Sequence, residues 1–439
     1  MSAPPGEVNT SEPTVAVVPS KGSEQPRVRR SRVHRMLRLA AADLFRAPRG
    51  AVAKIERGAF RKIVLLWAVA RSTSLAFLWA AYEIARSLGW THGPDGQRIG
   101  TFLDFITEWD ADRYGQISTE GYPISLPMNV QGDIMPNNWA FLPVFPSLER
   151  VFAPLVGGSW QFAGVGISIL ATLGATWVLY LLMRRTTTPK AAWWATVFFS
   201  FAPLSFVFVL GYAESLLMLL IFTALLLAHQ RRYLLIAPIG VIAAFTRPGA
   251  LAIALALGIL FLVRFFRRRV DPFPRIQVIG ILVAGLLSAT AGLLWPVIAQ
   301  AVTGTRNAYI RTETGWWLQS VGNDEFIPMT PWFRQAGTHL GIIGIILVIA
   351  LMIGFAMLLW SRPVRRLGIV VVSFALSYGL YLFAVFLPQQ STFRLMVPLS
   401  PLLGDERLSS TRRRRTGILI GCIVLQAVAV WTLWTVNHP

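Results

Sequence analysis

The 439-residue chain is 54% hydrophobic and only 14% charged, with a mean hydropathy of +0.55, whereas a soluble globular domain is roughly a quarter charged. A soluble core of this length does not need so much apolar residue. A bilayer does, at roughly 20 apolar residues per helical span. The formal net charge of +20 would suit nucleic acid, but 31 of the 41 Lys and Arg fall in six segments, 1–62, 184–190, 231–232, 264–275, 361–366 and 405–415. Each segment is a terminus or a short connection between apolar runs, which is the positive-inside pattern and leaves no basic patch for nucleic acid. The single cysteine, Cys422, excludes an intrachain disulfide and a Cys-based metal site.

In chain order, residues 1–30 are rich in Pro, Ser, Glu and Val without helical period and read as a disordered cytoplasmic tail. Residues 31–62 mix Arg with Leu, Ala and Phe. They read either as a basic surface helix on anionic lipid or as a solvated basic tail. The first long apolar run starts near Ile63, so no signal peptide is expected. The chain thus divides into a tail, 1–62, and an all-α polytopic membrane domain, 63–439. About eleven spans are predicted, at 63–88, 160–183, 191–209, 212–229, 233–246, 249–263, 276–302, 338–360, 366–387, 393–404 and 417–436.

Spans 233–246, 249–263 and 393–404 are too short for a full crossing. Arg231-Arg232 and the Arg264–Arg269 cluster belong on the cytoplasmic side, so the residues between them must cross and return. Thr246-Arg247-Pro248-Gly249 supplies the break, since Pro cannot continue a helix and Gly tolerates the turn. The same parity applies to 388–415. Broken helices at membrane depth are tolerated only where they pack in protein or line a cavity, so both regions point to an internal cavity. This topology puts the N-terminus inside, the C-terminus outside, and two long loops, 89–159 and 303–337, outside. Of the 21 acidic residues, 13 lie in these loops or in outward halves of spans. The sequence shows no internal repeat, which weakens an inverted-repeat transporter reading.

The large first outer loop holds the densest constellation of side chains. Asp104, Glu108, Trp109, Asp110, Asp112 and Tyr114 are followed by Gly121-Tyr122-Pro123 and by Asn137-Asn138-Trp139. At helical spacing Asp104 and Glu108 are i, i+4 neighbours, as are Glu108 and Asp112. Carboxylates against aromatic surface can have raised pKa and act as general bases. The competing reading is an exposed acidic loop with aromatics at the membrane interface. A divalent metal, Mg²⁺ or Mn²⁺, is possible on these oxygens. However, Asp110-Ala-Asp112 lies in a helical stretch rather than after a strand, so no residue is assigned to a metal. Inside the apolar runs stand Glu214 (after Gly211-Tyr212-Ala213), Arg247 and Arg394. Charges at such depth usually line a pathway or pair together, and snorkelling to the interface is the alternative. Arginines on the outward side suit a lipid phosphate.

At these residues the chain resembles the PIG-V family of GPI second-mannose mannosyltransferases, members of the GT-C class of multi-spanning glycosyltransferases. Four stretches carry the resemblance, from about residue 60 to 265: Phe105-Ile-Thr-Glu-Trp109-Asp110-Ala with Gly121-Tyr122; Asn138-Trp-Ala-Phe-Leu-Pro143-Val-Phe-Pro146; Leu210-Gly-Tyr212-Ala-Glu214-Ser; and Thr246-Arg247-Pro-Gly249. The C-terminal half matches in hydropathy and in Arg394–Pro398. The resemblance implies inverting mannosyl transfer from a polyprenyl-phosphate-mannose donor to a glycan or glycolipid acceptor on the extracytoplasmic face. Asp110 falls on the family's Trp-Asp motif and is the expected essential carboxylate; Asp104, Glu108 and Asp112 are the alternatives. Trp109, Tyr114, Asn138, Tyr212, Glu214, Arg247 and Arg394 are expected to bind substrate. The family pattern has a basic residue where this chain has Glu108, which leaves the acceptor open. The Ala- and Arg-rich composition suggests a bacterial, actinobacterial, relative. Three other readings stay open: a GT-C enzyme using polyprenyl-phosphate arabinose or glucose, a lipid or solute transporter using Glu214 and Arg247 as a relay, and a non-catalytic subunit of a glycosylation complex.

In a Cys422→Ser background, a cysteine placed at Gln131 should be modified by an impermeant thiol reagent added from outside, and one at Thr187 should not. Labelling at Thr187 instead would overturn the charge-based topology.

Overall fold

The computed structural model describes residues 1–2, 41–44, 56–92, 97–318 and 326–436. The predicted tail, 1–62, therefore lies outside the described residues except at 1–2, 41–44 and 56–62, and so do 319–325 of the second outer loop. The unit described below is Ala40–Pro439.

Helix α1 spans Ala59–Ser87. The first loop then forms a two-residue antiparallel hairpin, Thr91–His92 with Gln97–Arg98. Three helices follow within that loop, α2 (Phe102–Ile106), α3 (Asp110–Thr119) and α4 (Val144–Phe152). The membrane domain continues with α5 (Trp160–Thr186), α6 (Pro189–Ser200), α7 (Glu214–His229), α8 (Ile236–Ala244), α9 (Leu251–Phe266) and α10 (Arg275–Thr303). The second loop carries α11 (Ala308–Gly315). The chain ends with α12 (Pro331–Trp360), α13 (Arg362–Arg365), α14 (Ile369–Val385), the single turn α15 (Thr392–Leu395) and α16 (Arg412–Ala429).

Among the described residues, five helices are long and apolar enough to cross a membrane: α1, α5, α10, α12 and α16 extended to Val436. Glu214–His229, Tyr233–Ala244, Leu251–Phe266 and Ile369–Val385 are shorter apolar helices. The chain is an all-α, multi-spanning membrane protein. Two of the predicted spans are not continuous helices. Over 191–209, α6 stops at Ser200 and a 3-10 turn covers Ser205–Val209, around Pro203. Over 393–404, α15 runs into a 3-10 stretch, Val397–Gly404, that contains Pro398 and Pro401. In both, proline removes a donor and its ring clashes with the preceding turn.

The core helices pack through small residues. On α5, Gly164, Ser168, Ala171, Thr172 and Ala175 are buried on one face, and α7 lies along α5. Thr172 and Ser168 return hydroxyl bonds to the helix or to its neighbour: Thr172 Oγ1 donates to the Ser168 carbonyl (2.7 Å), and Ser168 Oγ to the Tyr212 carbonyl (2.7 Å). The non-helical stretch between α6 and α7 is pinned from α1. The buried Arg71 guanidinium donates to the carbonyls of Ser205 and Ser200, both at 2.5 Å, and Gln426 of α16 donates to Ser74 and Ser205 hydroxyls (2.8 and 2.6 Å). Irregular backbone in a nonpolar medium must find such partners internally. These bonds deliver Tyr212 and Glu214 to a defined place.

The second break behaves as its residues dictate. Helix α8 ends at Ala244, and Gly249 takes φ +99°, with a hypothetical Cβ 2.9 Å from the Tyr381 ring. Only glycine meets both demands. The Val144 N–H donates to the Phe245 carbonyl (3.0 Å), so the first loop is tied to this break. Further ties come from a cluster of Tyr122, Trp139 and Trp295, whose ring centroids lie 4.7, 5.0 and 5.2 Å apart in tilted and edge contacts, with Trp295 Nε1 donating to the Trp139 carbonyl (3.0 Å). The two long loops also meet directly, through Asn137 Nδ2 donating to Thr312 Oγ1 (2.9 Å). The basic connections meet elsewhere: Arg184 lies 3.8 Å from Glu56, Lys190 donates to the Ser410 carbonyl (3.1 Å), and Asp43 takes Arg365 at 3.3 Å.

Candidate functional site

Asp110 opens α3, and the residue before it is strained. Trp109 has φ 59° and ψ −116°, a region that bulky L-residues avoid. Strain of this kind costs on the order of 1–3 kcal/mol and persists where the surroundings over-determine it. Here it turns the chain so that Asp110 points inward. Glu214 opens α7. Each carboxylate therefore sits at the positive end of a helix dipole. Arg247 comes from the break after α8, and Arg394 from the single turn α15.

These four side chains form a closed ring of opposite charges. Arg394 Nη2 lies 2.8 Å from Asp110 Oδ2 and its Nη1 3.4 Å from Glu214 Oε1. Arg247 Nη1 lies 3.1 Å from Glu214 Oε2 and 3.6 Å from Asp110 Oδ2. The ring is nearly dry: Glu214 is 3% exposed and Arg394 8%. Tyr212, fully buried, places its ring 5.2 Å from the Arg394 guanidinium, a distance at which the ring face attracts the cation. Two positive and two negative charges cancel, which is what permits their burial. The hydrogen bonding is nevertheless incomplete. Arg394 Nε and Nη1 make no hydrogen bond in the structure, nor do the Glu214 oxygens.

The ring forms one wall of a cavity of about 220 Å³. Its polar lining is Asp110, Tyr114, Arg247, Glu313, Gln389 and Arg394; Phe141, Trp316, Trp317, Phe326 and Phe386 supply the apolar part. A lining of both charged and aromatic side chains suits an amphipathic ligand.

Of the residues expected from sequence, Asp110, Tyr114, Arg247 and Arg394 line this cavity, and Glu214 and Tyr212 stand directly behind it. The others do not line it. Asp104 closes a capping box with Thr101 and accepts from Gln161 Nε2 (2.9 Å). Burial alone would push its carboxyl up, but the bonds from Gln161 and Thr101 outweigh it and hold the carboxyl below its ordinary value. Asp112 accepts from Gln116 Nε2 (2.7 Å) on its own helix. Burial, and then the neighbouring Asp104 and Asp112, push the Glu108 carboxyl up to about 8. Trp109 packs in the apolar cluster around Phe105 and Tyr212. Asn138 lies in a 3-10 turn whose next residues, Ala140 to Leu142, reach the cavity. No group of three or more His, Cys, Asp or Glu side chains among the described residues is arranged to hold a metal ion. Asp110 and Glu214 are turned toward guanidinium groups instead.

The sequence reading missed Glu313, with Tyr309 one turn before it on α11. Both line the same cavity as Asp110, Arg247 and Arg394. Neither belongs to a motif or a charge cluster, and only position in the second outer loop set them apart. No family model and no curated protein matches this chain.

Removing one charge from a buried, balanced set leaves its partner uncompensated, at a cost of about 3–5 kcal/mol. Glu214→Leu should therefore lower the melting temperature in detergent sharply. Because the partners share one network, Glu214→Leu with Arg247→Met should cost much less than the two single losses summed. Additive losses would show that the ring is not a coupled unit.

Proposed function

We propose that this chain is a GT-C-type glycosyltransferase of the cell membrane, with cytoplasmic N-terminus and extracytoplasmic C-terminus. It moves a sugar, mannose in the first instance, from a polyprenyl-phosphate donor to a hydroxyl of a glycan or glycolipid on the extracytoplasmic face. The observation that carries the reading is the pair of buried guanidiniums, Arg247 and Arg394, on the wall of a cavity lined by both charged and aromatic side chains. A lipid phosphate entering such a cavity needs cations, because an unpaired anion in a low-dielectric site is very costly. Both arginines line the cavity, and a guanidinium presents its donors in a fork that matches phosphate oxygens.

In this reading the acceptor hydroxyl attacks the anomeric carbon in one inverting displacement. The bond from that carbon to the phosphate oxygen breaks, and its electron pair stays on the phosphate. Arg247 and Arg394 stabilise the charge that develops there. Asp110 and Glu214 hold the two guanidiniums in register, and a carboxylate of the cavity wall takes the hydroxyl proton. The aromatic side receives the apolar part of the donor. A transporter would use the same Glu214–Arg247 contact as an intramembrane relay, but would consume no donor.

Donor kinetics with polyprenyl-phosphate mannose test the phosphate role. A charge-assisted hydrogen bond contributes about 1.5–3 kcal/mol, so Arg394→Ala and Arg247→Ala should each raise the donor KM at least roughly tenfold. The corresponding Lys variants keep the charge, lose the planar fork, and should retain more activity than Ala. A donor KM unchanged in both Ala variants would remove the arginines from donor binding.

A further inference from the structure

The cavity holds two carboxylates in very different surroundings. Asp110 Oδ2 is shared between two guanidiniums, at 2.8 and 3.6 Å. Glu313 faces the same space from α11 and has no basic side chain within 4.0 Å among the described residues. Tyr309, one turn earlier on the same helix, places its hydroxyl where it favours the ionised carboxylate. A displacement needs its cations on the leaving group and its base on the nucleophile, on opposite sides of the reacting carbon. Arg247 and Arg394 occupy one wall. We propose, resting on the transferase reading above, that Glu313 is the base: its carboxylate takes the proton of the acceptor hydroxyl as that oxygen bonds to the anomeric carbon.

The step balances. The O–H electron pair becomes the new carbon–oxygen bond, the electron pair of the breaking bond leaves with the phosphate, and the proton passes to Glu313 and then to outer water. Asp110 is then a positioning residue that orients the two guanidiniums.

Several features fit Glu313 to this task. Helix α11 is fixed in place. The Thr312 hydroxyl accepts from Asn137 of the first loop (2.9 Å), and Gly315 brings the helix so near that loop that a Cβ would lie 2.8 Å from the Ile134 carbonyl oxygen. Glu313 itself is only partly covered, and its open side faces the cavity. Burial pushes its carboxyl up, the Tyr309 hydroxyl and the Arg247 charge pull it back, Asp110 pushes it up again, and the outcome is about 7. A base poised near the working pH is the effective one. The groups that face it are Arg247 and Asp110, with Arg394 on the same wall, Tyr381 of α14, and Tyr309 on its own helix.

The test is the rate of polyprenyl-phosphate release from polyprenyl-phosphate mannose in vesicles across pH 5–9, with water as the acceptor probe, so that the natural acceptor does not enter. Wild type should lose rate below an apparent pKa near 7, as Glu313 becomes protonated. Glu313→Gln should lower kcat by about 10²–10⁴, leave the donor KM within about twofold, and lose that acid limb. Tyr309→Phe, which keeps the ring, removes a hydroxyl that favours the ionised form, so its acid limb should move to higher pH. Near wild-type kcat in Glu313→Gln, or an unmoved limb in Tyr309→Phe, would overturn the assignment, and the second variant keeps the test open if the first does not fold. Turnover in wild type with Asp110→Asn alone losing the acid limb would give the base role to Asp110. No turnover in wild type would sink the transferase reading and this inference together, which is distinct from either variant result.

Discussion

The structure depends on one electrostatic condition: two guanidiniums and two carboxylates, from four separate parts of the chain, must be buried together or not at all. Moving a single such charge into a nonpolar interior costs several kcal/mol even after relaxation. Asp110, Glu214, Arg247 and Arg394 meet the condition as a set, since each arginine touches both carboxylates. The irregular segments of the membrane domain follow from this. Trp109 accepts a strained backbone, the stretch between α6 and α7 leaves helical geometry, α8 stops short, and α15 lasts one turn, each bringing one member to the ring. The cost of each irregularity is offset by bonds such as those from Arg71 to Ser200 and Ser205.

A balanced ring could serve structure alone. What makes it a candidate for chemistry is that it faces a cavity and leaves donors of Arg394 unsatisfied. The same cavity is lined by Glu313, on a helix anchored to the first loop. Two cations, a carboxylate outside their ring and aromatic surface in one cavity supply what a displacement on a lipid phosphate requires.

Much of the architecture was legible in sequence because the signals were physical. Apolar runs long enough to cross a bilayer gave α1, α5, α10, α12 and α16, and the Pro-Gly pair after Arg247 marked the break before α9. Two runs, 191–209 and 393–404, looked like spans because hydropathy does not register where Pro203, Pro398 and Pro401 interrupt a helix. The count of eleven spans is accordingly finer than the helices establish. Asp110, Glu214, Arg247 and Arg394 stood out because a charge in or beside an apolar run is rare. Their mutual contact was not readable, since it joins residues up to 284 positions apart. Asp104 and Asp112 looked equivalent to Asp110 by spacing, yet local bonds to Thr101, Gln161 and Gln116 occupy them. Glu313 and Tyr309 carried no local signal; only the packing of α11 against the first loop sets them at the cavity.

The central claim is that this cavity transfers a sugar from a lipid phosphate and that the charge ring organises it. The most direct measurement is donor-dependent transfer in sealed vesicles, wild type against Asp110→Asn. The account predicts that wild type consumes polyprenyl-phosphate mannose, and that Asp110→Asn, inserted and folded but no longer holding the two guanidiniums in register, is slower by about 10² or more. Absence of donor consumption by wild type, or wild-type rates in Asp110→Asn, would contradict it.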